Sequence, residues 1–407
     1  MYQPTKKSIQ LLVISSFVIM TIACSSSKSE FSKKDVIRSQ KLLGLDFDKK
    51  YIDTLYPYLK SNKEGFDSLR KYTLANDVFP AIQFNPLPLN FSPKSQAGFP
   101  DWKIPENVQL PEKEADLAFY SIPQLASLIK YKKISSLKLT EFFIARLKKY
   151  NPILQCTIMI TEEMALEQAK KMDQELTNGQ YRGILHGIPY GVKDLMAVKG
   201  YKTTWGAEPY RDQQIEMTAT VVEKLQNAGG VLVAKLVSGS LARGDVWFDG
   251  KTKNPWDTEQ GASGSSAGSG SATSAGLVPF ALGTETLGSI TSPSTRNGIT
   301  GLRPTYGRVS RHGVMSLSWS MDKVGPMARS AEDCAIVYSI ITGKDPKDGT
   351  TTDYPDGFEP NKDFKSLRVG YLKKDIEKDT SLSKANLEKA LQTFKKMGIT
   401  LNEVELP

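Results

Sequence analysis

The sequence predicts an α/β fold in which helices cover both faces of a β-sheet. Of its 407 residues, 40% are hydrophobic and 24% are charged, a composition typical of a globular chain that can bury a large core. Apolar runs of strand length alternate along the chain with helical patterns of apolar residues. Such alternation is typical of a sheet packed between two layers of helices.

The N-terminal segment carries the pattern of an export signal. Lys6 and Lys7 precede an apolar run from residue 11 to residue 23, and Cys24 follows it. A basic start and a short apolar run are typical of a secretory signal peptide, and the run is shorter than a membrane span. The letters "MTIA" before the cysteine are similar to a bacterial lipobox. We therefore expect residues 1–24 to be a lipoprotein-type signal peptide. Cys24 would then be lipidated, and the protein would be exported and anchored to the membrane on its periplasmic or cell-surface side; an uncleaved anchor is the alternative.

Residues 25–111 are expected to form an extension that precedes the main domain at 112–407. Residues 34–78 carry apolar residues at helical spacing. Prolines are frequent from 79 to 111, which predicts an extended connector.

Several helices and strands can be placed in the main domain. Ser121 with Gln124 three residues later forms a capping box, which predicts the start of a helix. A second helix is predicted from Ser136 and is expected to end at the Asn-Pro pair 151–152. The segment "TATVVEKLQNAGGVLVAKL" predicts a helix, a glycine cap and then a strand. Near the C-terminus, "LRVGYL", "KANLEKALQTFKKMG" and "ITLNEVEL" predict a strand, a helix and another strand.

The cysteines and histidines do not have the spacing of metal ligands, and we expect neither a metal nor another cofactor. Cys156 and Cys334 lie in apolar contexts and are predicted to be buried free thiols. His186 and His312 are predicted to make hydrogen bonds in loops rather than to act in catalysis.

The net charge of +9 does not by itself indicate a nucleic-acid partner. Lysine-rich stretches such as Lys130, Lys132 and Lys133 belong to no recognisable nucleic-acid-binding module, and a solvated face explains them. We expect no nucleic acid among the partners.

The segment "GASGSSAGSGSATSAG" at 261–276 is the most unusual stretch of the chain. A flexible linker would be bounded by polar sequence, but this stretch leads directly into an apolar segment. A phosphate-binding loop would need Gly-Lys-Ser/Thr or G-x-G-x-x-G, and neither is present. A nucleophile elbow centred on Ser266 fits G-x-S-x-G, but it needs a histidine base, and only His312 follows. A serine can instead be activated by a neutral lysine, and Lys193 stands at the end of a predicted strand.

Three segments together resemble the amidase signature family. They are "LHGIPYGVKDLM", "TATVVEKLQNAGGVLVAKL" and the long region from "NPWDTEQGASGSSAGSG" to "VGPMARS". The resemblance runs from about residue 121 to residue 335 and continues more weakly to the C-terminus. It implies the amidase signature fold, with a mixed twisted β-sheet covered by helices on both faces.

The resemblance also implies a set of catalytic residues. With the chain aligned on "AGLVPFALG", Lys193 corresponds to the family's base and Ser265 to its bridging serine, which is held by a cis peptide bond. Ser289 corresponds to the nucleophile, and Ser266 and Thr284 are expected to support these residues through hydrogen bonds.

The loop before the nucleophile departs from the family pattern in two places. The oxyanion hole is implied to consist of the backbone N–H groups of Thr286, Leu287, Gly288 and Ser289. Many members have glycine at position 287, and we expect the leucine side chain to narrow the pocket. The commoner pattern also has an arginine directly after Ile290, and Arg296 is the expected replacement or else a structural residue.

The implied function is hydrolysis of a carboxylic amide through an acyl-enzyme on Ser289, with a small-molecule amide as the substrate. One alternative is the A-type subunit of glutamyl-tRNA(Gln) amidotransferase. The other is an inactive protein of the same fold, because family chains usually continue beyond a segment such as "GITLNEVELP" and the C-terminal part is expected to be incomplete. Asp194, next to Lys193, is expected to order the turn after the strand.

Overall fold

The computed structural model of the chain describes residues 31–74, 78, 80–81, 83–85, 98–352, 363–381 and 383–406. The expected signal peptide at 1–24, including Cys24, lies outside these residues. Within them, no helix combines the length and the apolar character needed to span a bilayer. The chain divides into two compact units, Met1–Ala75 and Asn76–Pro407.

The described residues of the first unit form two helices where the sequence showed one long helical pattern. They are α1 (Lys33–Leu42) and α2 (Lys49–Leu69). Ser32 and Asp48 precede them as N-terminal caps, and each accepts backbone N–H groups that the helix leaves unpaired. The second cap, in the middle of the pattern, separates the two helices.

The second unit is built on a six-stranded mixed sheet, as the sequence predicted. Its strands are β1 (Thr157–Ile160), β2 (Pro189–Lys193), β3 (Val231–Leu236), β8 (Phe280–Glu285), β9 (Thr300–Gly301) and β10 (Lys323–Ala328). Their order across the sheet is β1-β3-β2-β8-β10-β9. β2 is parallel to both β3 and β8, and the other pairs are antiparallel.

Six helices pack against this sheet, and two apolar cores show that they cover both of its faces. The helices are α3 (Ile122–Lys130), α4 (Ser136–Leu154), α5 (Glu162–Thr177), α6 (Thr220–Asn227), α7 (Ala267–Ser274) and α9 (Ala331–Ile341). In β8, Phe280 and Leu282 belong to the core that contains α3, α6 and α9, whereas Ala281 belongs to the core that contains α4, α5 and α7. Because successive side chains of a strand point to opposite faces, the two cores lie on opposite sides of the sheet.

The remaining elements are short or lie near the C-terminus. Two small hairpins precede α7, formed by β4 (Val246–Trp247) with β5 (Gly250–Lys251) and by β6 (Lys253–Asn254) with β7 (Asp257–Gly261). The helix α8 (Thr291–Asn297) follows β8. The last elements are β11 (Arg368–Tyr371), α10 (Lys373–Lys378), α11 (Lys384–Lys396) and β12 (Thr400–Glu403), and β11 pairs with β12 in parallel. The predicted strand, helix and strand near the C-terminus are confirmed.

Two predicted helix boundaries have different outcomes. The capping box of Ser121 and Gln124 is formed, with the Gln124 N–H donating to Ser121 Oγ and the Gln124 side chain accepting the Ser121 N–H. The predicted end of α4 at the Asn-Pro pair is wrong, because the helix continues to Leu154 and ends at left-handed Gln155. A proline in the last turn removes only one hydrogen bond of the helix.

Candidate active site

Lys193 is the last residue of β2 and is fully buried. Its Nζ lies 2.8 Å from Ser265 Oγ and 2.8 Å from Thr284 Oγ1. Burial lowers the pKa of Lys193 to about 7, against the carboxylates of Asp322 and Glu285, which raise it. A large fraction of the lysine is therefore neutral near pH 7, and a neutral amine can accept a proton from a hydroxyl.

The Gly/Ser segment supplies Ser265 through a tightly enclosed turn. The Gly264–Ser265 peptide bond is cis, as the family resemblance implied. A Cβ atom on Gly264 would lie 1.8 Å from the carbonyl oxygen of Gly244, and one on Gly268 would lie 2.2 Å from that of Cys156. Only glycine fits at such approaches of one backbone to another. The glycines thus serve close packing, which explains the composition of the segment without a flexible linker.

Ser266 joins the turn to both β8 and the nucleophile loop. Its hydroxyl donates to the Thr284 carbonyl over 3.1 Å and accepts the Thr284 N–H over 3.2 Å. Its own N–H donates to the Ser289 carbonyl over 3.2 Å. These bonds bring the backbones of the two predicted catalytic serines side by side, with Ser266 in a supporting position.

The two histidines make structural hydrogen bonds, as predicted. His186 is buried, with Nε2 2.9 Å from the Met172 carbonyl and Nδ1 accepting the Arg182 N–H over 3.3 Å. His312 donates its backbone N–H to Ser310 Oγ, and among the described residues its ring has no hydrogen bond to a serine. The nucleophile elbow with a histidine base is therefore not formed.

Ser289 lies in the turn between β8 and α8, and it is partly exposed. In the described part of the chain its hydroxyl makes no hydrogen bond, so the expected link to Ser265 Oγ is not formed. Catalytic hydrogen bonds in unliganded enzymes are often loose and tighten when substrate binds. The hydrogen bond from the Ser266 N–H to the Ser289 carbonyl joins the backbone at Ser289 to the turn that carries Ser265.

The four implied oxyanion donors differ in their surroundings. Among the described residues, the N–H groups of Leu287 and Ser289 have no hydrogen-bond partner, whereas the N–H of Gly288 interacts with the Glu285 carboxylate and lowers its pKa. The hydroxyl of Thr286 donates to Asp322. The Leu287 side chain is 80% exposed, and the expectation that it narrows the pocket stays a prediction.

Of the two roles expected for Arg296, its contacts fit the structural one. Arg296 lies in the last turn of α8, and its guanidinium donates to exposed Gln260 over 3.3 Å. It is Arg303, which the sequence did not single out, that pairs with the buried Glu285 at 3.1 Å. Glu285 was visible as the one acidic residue in "TETLGSI", but nothing in the sequence indicated its partner.

Asp194, the residue after Lys193, forms a buried ion pair with Lys235. Its carboxylate lies 2.7 Å from the Lys235 Nζ, both side chains are fully buried, and it accepts the Thr204 N–H over 2.7 Å. Lys235 also donates to the Lys202 carbonyl and to Thr203 Oγ1, each over 2.6 Å. The hydrogen bonds that Asp194 accepts from Thr204 and Trp205 order the segment after β2, as the sequence suggested.

Neither a metal site nor a reactive thiol accompanies these residues. In the described ranges, no three His, Cys, Asp or Glu side chains are grouped to hold a metal ion. Cys156 and Cys334 are buried free thiols, as predicted, and burial raises their pKa values to about 11 and about 12.

The sequence model of the family described as Amidase matches residues 138–407. This chain belongs to the amidase family. Similar members include the A subunit of glutamyl-tRNA(Gln) amidotransferase from Coxiella burnetii, which is 41% identical over 296 residues, or 70% of this chain and 61% of that one. The corresponding protein from Acinetobacter baumannii is 40% identical over 304 residues, or 72% and 61%. The chain thus spans about three fifths of the length of these relatives.

Solved amidase-family structures share the fold. The peptide amidase from Stenotrophomonas maltophilia has a TM-score of 0.63 and 30% identity, with 72% of this chain and 63% of that chain covered. An amidase family protein from Bacillus anthracis has a TM-score of 0.65 and 29% identity, with 71% and 61% covered.

Proposed function

We propose that this amidase-family protein is an amidohydrolase that cleaves a carboxylic amide C–N bond through an acyl-enzyme on Ser289. The observation that carries the proposal is the environment of Lys193. A fully buried lysine whose hydrogen-bond partners are the hydroxyls of Ser265 and Thr284, with a pKa of about 7, is suited to act as a base.

The reaction would proceed in two steps, acylation and deacylation of Ser289. In the first, Ser289 Oγ attacks the amide carbonyl while its proton passes to Ser265 Oγ and the Ser265 proton passes to the neutral Lys193 Nζ. The C–N bond then breaks, and the relay returns a proton to the leaving amine. In the second step, water loses a proton to the same relay and attacks the acyl-enzyme, which releases the carboxylic acid and restores the Ser289 hydroxyl.

Charge that develops on the carbonyl oxygen needs hydrogen-bond donors. The N–H groups of Leu287 and Ser289 are available for this role, because neither has a hydrogen-bond partner among the described residues. Loss of one oxyanion donor costs an enzyme about 3–4 kcal/mol of transition-state stabilisation. Because both donors lie on the nucleophile loop, the reaction rate depends on the geometry of that loop.

A fluorophosphonate probe tests the proposed nucleophile. The wild-type chain is expected to be labelled on Ser289, with the labelled peptide identified by mass spectrometry. Ser289→Ala should abolish labelling and Ser266→Ala should retain it at Ser289, because only the former removes the attacking oxygen. Labelling should be accompanied by hydrolysis in a panel of simple amides, peptide amides and glutamine. Absence of both labelling and turnover in a folded wild-type chain would indicate an inactive member of the family.

A second candidate function rests on the named relatives. The A subunits of glutamyl-tRNA(Gln) amidotransferase are 40–41% identical to the matched part of this chain. If this chain has that function, glutamine is its preferred amide and it co-purifies with partner subunits from the cytoplasmic fraction. Turnover of simple or peptide amides by the isolated chain, in preference to glutamine, would favour the amidohydrolase.

The location of the protein is part of the same proposal. We infer from residues 1–24 that the chain is exported and anchored through a lipid on Cys24, with no nucleic acid among its partners. Fractionation of cells that express the full chain should place it in the membrane fraction, and Cys24→Ala should release it. Recovery of the wild-type chain from the cytoplasm would contradict export and favour the amidotransferase.

A further inference from the structure

The carboxylate of Glu285 holds the loop that carries the proposed nucleophile. Glu285 is the last residue of β8, four residues before Ser289, and it is fully buried. Its Oε2 accepts the N–H of Ile290 over 2.8 Å and the N–H of Thr291 over 2.9 Å. The Thr291 hydroxyl donates to the same oxygen over 3.2 Å. One side chain thus binds the first N–H groups of α8, which a helix otherwise leaves without partners.

The same carboxylate also faces the loop on the other side of the nucleophile. The backbone N–H of Gly288 lowers the pKa of Glu285, and the N–H of Ile290 donates to it, so the residues directly before and after Ser289 both interact with this side chain. Gly288 has a φ of +100°, which non-glycine residues rarely adopt, so the turn is specific in shape. The position of the Ser289 backbone therefore depends on Glu285.

Arg303 supplies the positive charge that faces this carboxylate. Its guanidinium lies 3.1 Å from Glu285 Oε1, and its side chain is 52% exposed. Burial raises the pKa of Glu285, but hydrogen bonds from the N–H groups of Thr291, Ile290 and Gly288 and from Arg303 outweigh it and lower the pKa below its usual value. The carboxylate is ionised at neutral pH, when it accepts hydrogen bonds best.

We propose that Glu285 and Arg303 are positioning residues that set the orientation of Ser289 and of its oxyanion donors. This inference rests on the proposed amidohydrolase function. Glu285 binds the nucleophile loop directly, and Arg303 acts through Glu285 by holding its carboxylate in place. Neither side chain touches the reacting atoms, so their removal should slow acylation of Ser289 without removing the nucleophile or the base.

The test compares variants of the full chain in two measurements. The first is the second-order rate at which a fluorophosphonate labels Ser289, in which the serine oxygen displaces fluoride from phosphorus and the serine proton passes to the relay. The second is hydrogen exchange of the peptide that spans 286–291, which needs no catalysis. The variants are Glu285→Gln, Arg303→Met, Arg303→Lys and Arg303→Met combined with Thr291→Arg. The last variant places a new guanidinium at an exposed residue that already contacts Glu285.

Glu285→Gln should slow labelling on the order of a hundredfold, and Arg303→Met about tenfold, because small misplacement of a reacting group has effects of this size. Arg303→Lys should recover part of the rate, and Thr291→Arg should restore most of it to Arg303→Met. In amide hydrolysis the loss should appear in kcat and leave KM nearly unchanged. Exchange at 286–291 should become faster in Glu285→Gln and Arg303→Met. Arg296→Met, which changes an exposed arginine of α8 that contacts Gln260, is the matched control and should resemble wild type.

The outcomes separate this inference from the proposed function. If wild type is labelled and Arg303→Met matches it in rate and exchange, the positioning role is overturned while the function stands. If the wild-type chain is not labelled, the proposed amidohydrolase function is contradicted. Hydrogen exchange at 286–291 then decides by itself whether Glu285 and Arg303 order the loop. If Glu285→Gln does not fold, the variants of the half-exposed Arg303 still test the positioning role. A loss in Arg303→Met that Thr291→Arg does not restore would overturn the role of the charge.

Discussion

Two lysines on neighbouring strands of the sheet are equally buried but have different partners. Lys193 ends β2 and Lys235 lies in β3, which pairs with β2 in parallel. Lys235 contacts the Asp194 carboxylate, a carbonyl and a hydroxyl, which are three acceptors for the three N–H groups of an ammonium. Among the described residues, the hydrogen-bond partners of the Lys193 Nζ are the hydroxyls of Ser265 and Thr284, which can either donate or accept.

The difference shows how one fold places a lysine in an ion pair and a lysine among hydroxyl groups on neighbouring strands. Burial lowers the pKa of both lysines, but at Lys235 the carboxylate of Asp194 opposes this effect directly. Although Asp194 is next to Lys193 in sequence, its carboxylate is engaged by Lys235 and by Thr204. The ion pair of Asp194 and Lys235 therefore has a structural role. Lys193, which has no carboxylate partner among the described residues, is the lysine suited to act as a base.

Replacement of Lys193 should have the largest effect on activity. Lys193→Met removes the base, so kcat/KM for an amide should fall by between about 10² and 10⁴. The free energy of unfolding should not decrease, because a buried amine is replaced by an apolar side chain of similar length. Amide hydrolysis and urea unfolding measure the two effects. Activity close to wild type would break the comparison, because it would remove Lys193 from the mechanism.

Replacement of the paired lysine should instead act on stability. Lys235→Met leaves the Asp194 carboxylate buried without its partner, so the free energy of unfolding should fall by about 3–5 kcal/mol. Urea unfolding at pH 7 measures it. In the double variant with Asp194→Asn the loss should be smaller, because no unpaired charge remains. An unchanged midpoint in Lys235→Met would mean that the pair contributes nothing, contrary to its burial.

The pH dependence of activity should show whether Lys193 acts as the base. Lys193 acts as a base only when neutral, and its pKa is about 7, so kcat/KM should fall as the pH drops below 7 and level off above it. The negative charge of Asp322 raises the pKa of Lys193. Asp322→Asn should therefore move the acid limb to lower pH, by up to about one unit. A shift to higher pH would show that a different group titrates.

The smallest expected effect concerns the second hydroxyl at Lys193. Thr284→Val keeps the shape of the side chain but removes the hydroxyl that lies 2.8 Å from the Nζ. A hydrogen bond of this kind contributes about 1 kcal/mol, so kcat should fall by roughly tenfold or less. Steady-state kinetics with the best amide of the panel measures it. Ser266→Ala gives a comparison in which the Lys193 contacts are kept. A loss as large as that of Lys193→Met would make Thr284 part of the relay.

Local patterns predicted the elements that depend on neighbours in sequence. The capping box at Ser121, the glycine after α6 and the glycine-rich turn each depend on contacts within a few residues or on backbone shape. The Asn-Pro pair misled because Asn151 does not end α4. Its side chain accepts the N–H groups of Cys156 and Thr157 instead, and so orders the chain after the helix.

Contacts between distant residues explain what the sequence did not show. Arg296 was the natural guess as a cation near the nucleophile because it is close in sequence. The residue that reaches Glu285 is Arg303, which follows β9 and comes near only because β9 and β8 both pair with β10. Likewise, Asp194 and Lys235 are 41 positions apart and meet because β2 and β3 are neighbours in the sheet.

By itself, the sequence determined the α/β class and the family resemblance, and the resemblance implied which lysine and which serines would form the site. Only the tertiary structure decided which charges meet and which lysine stays without a carboxylate. The protonation state of a buried side chain depends on its partners and on its distance from water. Both are set by the order of strands in the sheet, which residue spacing along the chain does not specify.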